Sequence, residues 1–146
     1  MKSTEQTRLG RDFWVDYGGE GMDGRALLLV AIGGALGAVA RYLTTTILPI
    51  DSHWSTLAIN LTGSLLLGII AGGLHGSGMI SDEMLILLGT GILGAFTTMS
   101  TFSLDLVKLI DEAQWITAIL YLGSTALIGP ILALIGWKCT SMILAP

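Results

Sequence analysis

Charge is what this sequence has least of. Of 146 residues only 12% are Asp, Glu, Lys or Arg, against 52% hydrophobic, where a soluble domain carries roughly 25% charged residues. A water-soluble core of this size needs a polar shell, and none is present beyond the first 25 residues. The few charges are segregated. Residues 54–74, 84–104 and 113–137 contain none, and residues 26–50 contain only Arg41. Each stretch exceeds the roughly 20 residues that cross ~30 Å of hydrocarbon. The expectation is an all-α membrane protein of four transmembrane helices, with connections near residues 51–53, 75–83 and 108–112.

Carboxylates are the second absence: no Asp or Glu is expected inside any span. A proton-coupled exporter of this size needs an ionisable group there, and a cation channel often carries a ring of carboxylates. Enzyme chemistry has no support, since no nucleophile has a base beside it and His53 and His75 fall in connections. Cys139 is alone, which excludes an internal disulfide and reads as a small apolar residue near the end of the last helix. The net charge of −4 suggests no nucleic-acid partner.

Glycine is abundant instead, at 20 positions. Gly33 and Gly37 form a G-x-x-x-G pair in the first span, and Gly68 and Gly72 another in the second. Such pairs let helix backbones approach closely in lipid. Gly89, Gly91 and Gly94 crowd the third span, and Gly129-Pro130 interrupts the fourth. Four thin helices enclose little space, so a two-chain assembly is the economical way to build a pore.

Polar residues inside the spans are costly unless they face protein or water. Thr56 and Asn60 share a helix face that Ser64 extends, and Tyr121 and Thr125 share another. The third span holds the densest run, Thr97-Thr98-Met99-Ser100-Thr101-Phe102-Ser103. Its hydroxyls and β-branched residues compete with helical hydrogen bonding. A break near the membrane midplane is expected there, freeing carbonyls that protein, water or a bound ion must satisfy. A lining of hydroxyl and amide donors without carboxylates favours an anion.

Residues 1–25 read as an N-terminal tail, with Phe13, Trp14 and Tyr17 at the membrane interface; residues 26–138 read as the transmembrane domain and 139–146 as a short C-terminal tail. A signal-peptide reading, with Ala38-Val39-Ala40 as cleavage site, is opposed by the acidity of the tail. Near the span ends, Arg11, Arg25 and Lys138 on one side oppose Arg41 and Lys108 on the other. This bias is too weak to fix orientation by the positive-inside rule. It is compatible with insertion both ways or with one orientation set by other factors.

The motifs resemble those of the CrcB/Fluc fluoride channels, from about Ala31 to Gly129. Gly33-Gly34-Ala35-Leu36-Gly37-Ala38-Val39-Ala40-Arg41-Tyr42 is similar to that family's opening G-G-x-x-G-A-x-x-R-[YW]. Thr56-Leu57-Ala58-Ile59-Asn60-Leu61-Thr62-Gly63-Ser64 is similar to its second-helix motif, and residues 91–103 to its third-helix G-x-x-G-G-x-T-T-F-S-T-F-S. The resemblance implies an antiparallel, dual-topology homodimer in the cell inner (plasma) membrane. It implies passive fluoride export through two pores and a structural sodium ion at the dimer centre. Carried over residue by residue, it gives Asn60, Thr56, Phe102, Ser103 and Thr125 as the anion path. The carbonyls of Gly94 and Thr97 become the sodium ligands, and Arg41 lies near the vestibule.

An aromatic ring has a positive edge that can face an anion in a narrow site. Two positions depart from the pattern: Ala95 replaces a usual Gly, and Met99 replaces the usual first pore Phe. Met99 and Phe102, three apart, are expected on one face of the path. Alternatives stay open at several sites. Asn60 is either a pore donor or an interhelical hydrogen bond; Tyr121 and Thr125 line the pore or bridge helices; Arg41 touches the anion or snorkels to the interface. The competing function is a small dual-topology multidrug exporter, which requires a membrane-embedded Glu in its first helix, where Arg41 is the one charged residue.

Overall fold

The computed structural model describes residues 23–48 and 50–144. The tail readings for residues 1–22, including Phe13, Trp14 and Tyr17, and the last two residues of the C-terminal tail lie outside the described residues. Within them the chain is all-helical, with four helices long and apolar enough to cross a membrane. We number the helices α1 (Gly24–Ile47), α2 (Ser52–His75), α3 (residues 82–96), α4 (Met99–Asp111) and α5 (Trp115–Ile143). Helices α3 and α4 together make the third span, Asp82–Asp111.

Local chemistry sets the helix starts. Asp23 accepts the Arg25 N–H and caps α1; Ser81 accepts the Met84 N–H and caps α3, whose first turn also carries Asp82 and Glu83. Between α3 and α4 the backbone leaves helical space: Thr97 has φ −74°, ψ 154° and Thr98 has φ −150°, ψ 119°. Thr98 then caps α4 by accepting the Thr101 N–H through its hydroxyl. Wider π-type turns occupy Ile69–His75, Ile86–Leu93 and Ser124–Ile128.

The two glycine pairs serve separate contacts. A methyl group on Gly33 would meet the Leu87 carbonyl oxygen at 2.6 Å, and one on Gly37 would run into Ile92, so α1 lies directly on α3. Likewise Gly68 abuts Ala133 and Gly72 abuts the Trp137 ring, which seats α2 on α5. In both pairs the contacts ascend together along the chain, so the packed helices run parallel. First and third spans pair, as do second and fourth, through backbones close enough to gain dispersion contact without a hydrophobic driving force.

Two boundaries differ from the sequence expectation. The third connection is not residues 108–112: α4 continues through Lys108 to Asp111, and Ala113, at φ 58°, makes the turn into α5. The last helix also runs past Lys138 to Ile143. Charge was used to mark span ends, but a polar residue continues a helix readily where it has a partner or reaches solvent. The same reasoning misplaced Asp105, which lies inside the third span and is 3% exposed. The expectation that no carboxylate occupies a span is therefore corrected.

Candidate functional site

Two neighbourhoods divide the candidate residues. The first is a hollow of about 280 Å³ whose lining includes Asn60, Ser64, Gly94, Thr97, Met99 and Thr125 and no charged residue. At its wall Asn60 pairs with the extended backbone of Thr98 at two points. The Thr98 N–H donates to Asn60 Oδ1 at 2.8 Å, and Asn60 Nδ2 donates to the Thr98 carbonyl at 3.1 Å. An amide NH₂ has two protons, so one N–H of Asn60 stays uncommitted. The nearby hydroxyls are turned onto carbonyls of their own helices: Ser64 onto Asn60 at 2.8 Å, Thr97 onto Leu93 at 2.9 Å and Thr125 onto Tyr121 at 2.9 Å.

The second neighbourhood is a buried carboxylate with hydroxyls around it. Asp105 accepts from Ser52 at 2.9 Å, from Thr56 at 2.9 Å and, more weakly, from the Tyr121 phenol at 3.4 Å. Thr56 is 1% exposed and Tyr121 fully buried. Phe102, also buried, packs its ring on Tyr121 with centroids 5.0 Å apart and planes tilted by 42°. His53 meets the same Tyr121 ring edge-on at 5.9 Å. Carboxylate–hydroxyl bonds are charge-assisted and stronger than neutral ones. They hold α2, α4 and α5 together at this level. A second hollow of about 230 Å³, lined by Ser52, His53, Asp105, Lys108, Glu112 and Gln114 among others, opens beside it.

This arrangement separates residues that the motif grouped. Thr56 and Asn60 share a helix, but Thr56 has its one proton on Asp105 and does not line the first hollow. Met99 is 69% exposed and lines the first hollow, whereas Phe102 is enclosed against Tyr121. Ser103 is exposed and donates to the Met99 carbonyl at 2.9 Å. Arg41 is half-buried and lines neither hollow. Asp105 is the residue that sequence reasoning missed. Its signal was present: it stands seven residues past Thr98 on α4, three past Phe102, on the face that α4 turns inward.

Among the described residues no cluster of three His, Cys, Asp or Glu side chains could hold a metal. Backbone oxygens are another matter. In a continuous helix the Thr98 N–H would donate to the Gly94 carbonyl four residues back; here it goes to Asn60. The carbonyls of Gly94 and Thr97 thus fall outside the helical ladder, beside the uncharged hollow. Such hard oxygen donors suit a hard cation.

Residues 28–137 match the family described as CrcB-like protein, Camphor Resistance (CrcB). The chain is 42% identical over 113 residues to "Fluoride-specific ion channel FluC 1" of Ligilactobacillus salivarius, a match covering 75% of this chain and 95% of the relative. It is 42% identical over 122 residues to the protein of the same name from Geobacillus kaustophilus, covering 77% and 95%. With "Fluoride-specific ion channel FluC" of Methylobacillus flagellatus it shares 36% over 121 residues, covering 80% and 94%. With its four apolar spans and a family match over most of its length, this multi-pass membrane protein belongs to the CrcB-like family.

Proposed function

We propose that the chain is a fluoride-selective channel that lets fluoride leave the cell passively across the plasma membrane, working as an antiparallel homodimer of subunits inserted both ways. The observation that carries this reading is the uncharged hollow holding the spare Asn60 N–H. Fluoride is small and strongly hydrated, so a path for it must replace water with N–H and O–H donors. Asn60 offers one directly. Thr125 and Ser103 can rotate their hydroxyls off carbonyls of their own helices to offer others, while Phe102 presents a ring whose edge is positive. Met99 lines the hollow with flexible, weakly polar surface. Arg41, which lines neither hollow, is read from its motif position alone as a fixed positive charge near the vestibule.

Thr56, which the motif groups with the anion path, and Tyr121, open between pore lining and helix contact, are read here through their bonds to Asp105. While Asp105 is ionised it holds both hydroxyl protons, so each residue presents lone pairs, not a donor, to anything else. They belong to the wall of the path, and Asp105 fixes their orientation.

The extended Thr97–Thr98 segment in the third span is read as a helix break near the membrane midplane that serves as an ion site. A structural sodium ion at the dimer centre would be held by the carbonyls of Gly94 and Thr97 from both subunits. A bound cation there would offset repulsion within an anion-conducting assembly.

A multidrug exporter would couple to protons through a carboxylate in the membrane. Asp105 is such a carboxylate, but it lies in the third span, not the first, and already accepts from three hydroxyls. Efflux from liposomes loaded with fluoride, followed by a fluoride electrode, tests the proposal. Fast electrogenic release without a proton gradient is expected. Release that requires a proton gradient, or none at all, rejects the channel.

A further inference from the structure

We infer that Asn60 is a positioning residue for the cation site, setting the direction of the Thr97 carbonyl and keeping the Gly94 carbonyl free. The inference rests on the sodium reading above and adds a residue that touches no cation itself.

One peptide group links Asn60 to the cation ligands. The Thr97 carbonyl and the Thr98 N–H belong to the same planar trans peptide, so they point in opposite directions. Asn60 Oδ1 grips that N–H at 2.8 Å. The Thr97 carbonyl is therefore turned away from Asn60 and held there. Asn60 Nδ2 fixes the following carbonyl, that of Thr98, at 3.1 Å, so the peptides on both sides of the Thr98 α-carbon are restrained. Thr97 is restrained from its other side too, since its N–H and its hydroxyl both donate to the Leu93 carbonyl, at 3.0 and 2.9 Å.

Asn60 also competes with the helix for a donor. The Thr98 N–H is part-buried, and a backbone N–H drawn away from water takes a protein acceptor where one is in reach. Without Asn60, the nearest arrangement that satisfies the Thr98 N–H is continuation of the helix, with the Gly94 carbonyl as acceptor. That change would withdraw one proposed cation ligand and rotate the other. Asn60 and Gly94 thus compete for a single proton, and the side chain wins in this fold. One residue then serves two ions: its free N–H faces the anion path, and its other polar atoms build the cation site.

The test is cation-dependent thermal unfolding of the full-length protein in detergent, with sodium chloride titrated against N-methylglucamine chloride at constant ionic strength. The wild type should be stabilised saturably by sodium. Asn60→Leu, which keeps bulk and loses both bonds, should need about tenfold more sodium for half the effect, as expected for loss of one to two ordinary hydrogen bonds. Asn60→Ser, too short to reach Thr98, should do the same and serves where the leucine variant is not recovered. Asn60→Asp keeps an acceptor for the Thr98 N–H and should hold a midpoint no weaker than wild type, although it is expected to lose fluoride flux. Met142→Ile, exposed near the end of α5 and lining neither hollow, should leave the midpoint unchanged. A wild-type midpoint in Asn60→Leu or Asn60→Ser overturns the proposal, as does an Asn60→Asp midpoint weakened as far as theirs. Absence of any sodium response in the wild type removes the sodium reading and this inference together, while leaving the fluoride path to be judged by efflux.

Discussion

Thr56 gives its one hydroxyl proton to Asp105 across 2.9 Å, joining the second span to the third inside the membrane domain. A carboxylate in such a place is costly unless it is hydrogen-bonded. Asp105 meets that condition with Ser52, Thr56 and Tyr121. Asp105→Ala would leave the buried Thr56 and Tyr121 hydroxyls facing an empty site, at a cost of about 1–3 kcal/mol for each group left unpaired, whereas the exposed Ser52 can turn to water. Asp105→Asn keeps one acceptor oxygen and should cost distinctly less. Thermal unfolding of the two variants should give that order, and an alanine variant as stable as wild type would show that the cluster holds nothing together.

This cluster also marks where the sequence was legible and where it was not. Long uncharged runs gave the four spans, because hydrocarbon tolerates little else. The spacing of Gly33 with Gly37 and of Gly68 with Gly72 gave the close contacts, although not which span each would meet. Span ends were less legible. Charge alone cannot distinguish Lys108, which is exposed on a continuing helix, from a loop residue. Asp105 was only half legible: helical spacing puts it on the face of Phe102, but its partners are hydroxyls that lie 53, 49 and 16 residues away in sequence. Shared motif membership likewise could not reveal that Thr56 turns to Asp105 while Asn60 turns to Thr98.

The glycine contacts admit a direct test. At Gly37 an added side chain would collide with the Ile92 backbone, which cannot swing aside as a flexible side chain can. Gly37→Leu should prevent α1 from seating on α3 and should abolish the folded, monodisperse protein on gel filtration. Gly34 has open space around its α-carbon, so Gly34→Ala on the neighbouring position should be tolerated. Equal behaviour of the two variants would remove the packing role assigned to the Gly33–Gly37 pair.

The proposed assembly is motivated by the weak charge bias and the extended Thr97–Thr98 segment, and it can be tested. Subunits inserted both ways should pair antiparallel and share one central sodium ion. Cysteine cross-linking in membranes, with Cys139 replaced, should capture antiparallel pairs. Capture of parallel pairs alone, or an experimental structure of the dimer without central cation density, would count against the proposal.

Asn60→Asp should abolish fluoride efflux. The substitution trades the free N–H for a second acceptor, and adds negative charge where a donor faces the path. Undiminished efflux from liposomes holding a correctly assembled variant would exclude Asn60 as a pore donor.

Phe102 and Met99 stand three apart on α4, yet one is enclosed and the other is 69% exposed in the subunit. Phe102 packs on Tyr121, so its ring is held by a neighbour that Asp105 in turn restrains. Met99 has no such support, and its thioether chain can adapt to whatever the path or the second subunit presents. A fixed ring can keep its positive edge aimed at one place, whereas a flexible side chain mainly fills space. Phe102 should therefore carry most of the aromatic contribution. Phe102→Ile keeps bulk but loses the ring edge, and should cut fluoride efflux severely. Met99→Ile should cut it less, and Met99→Phe should retain conduction, since a ring at that position completes the pattern usual in the family. The three should be compared as efflux at matched protein density, with gel filtration to confirm assembly of the Phe102 variant, whose packing on Tyr121 also changes. Equal losses from Phe102→Ile and Met99→Ile would show that rigidity does not divide the two positions. Unchanged efflux in Phe102→Ile would remove the ring from the mechanism and leave amide and hydroxyl donors to carry the anion alone.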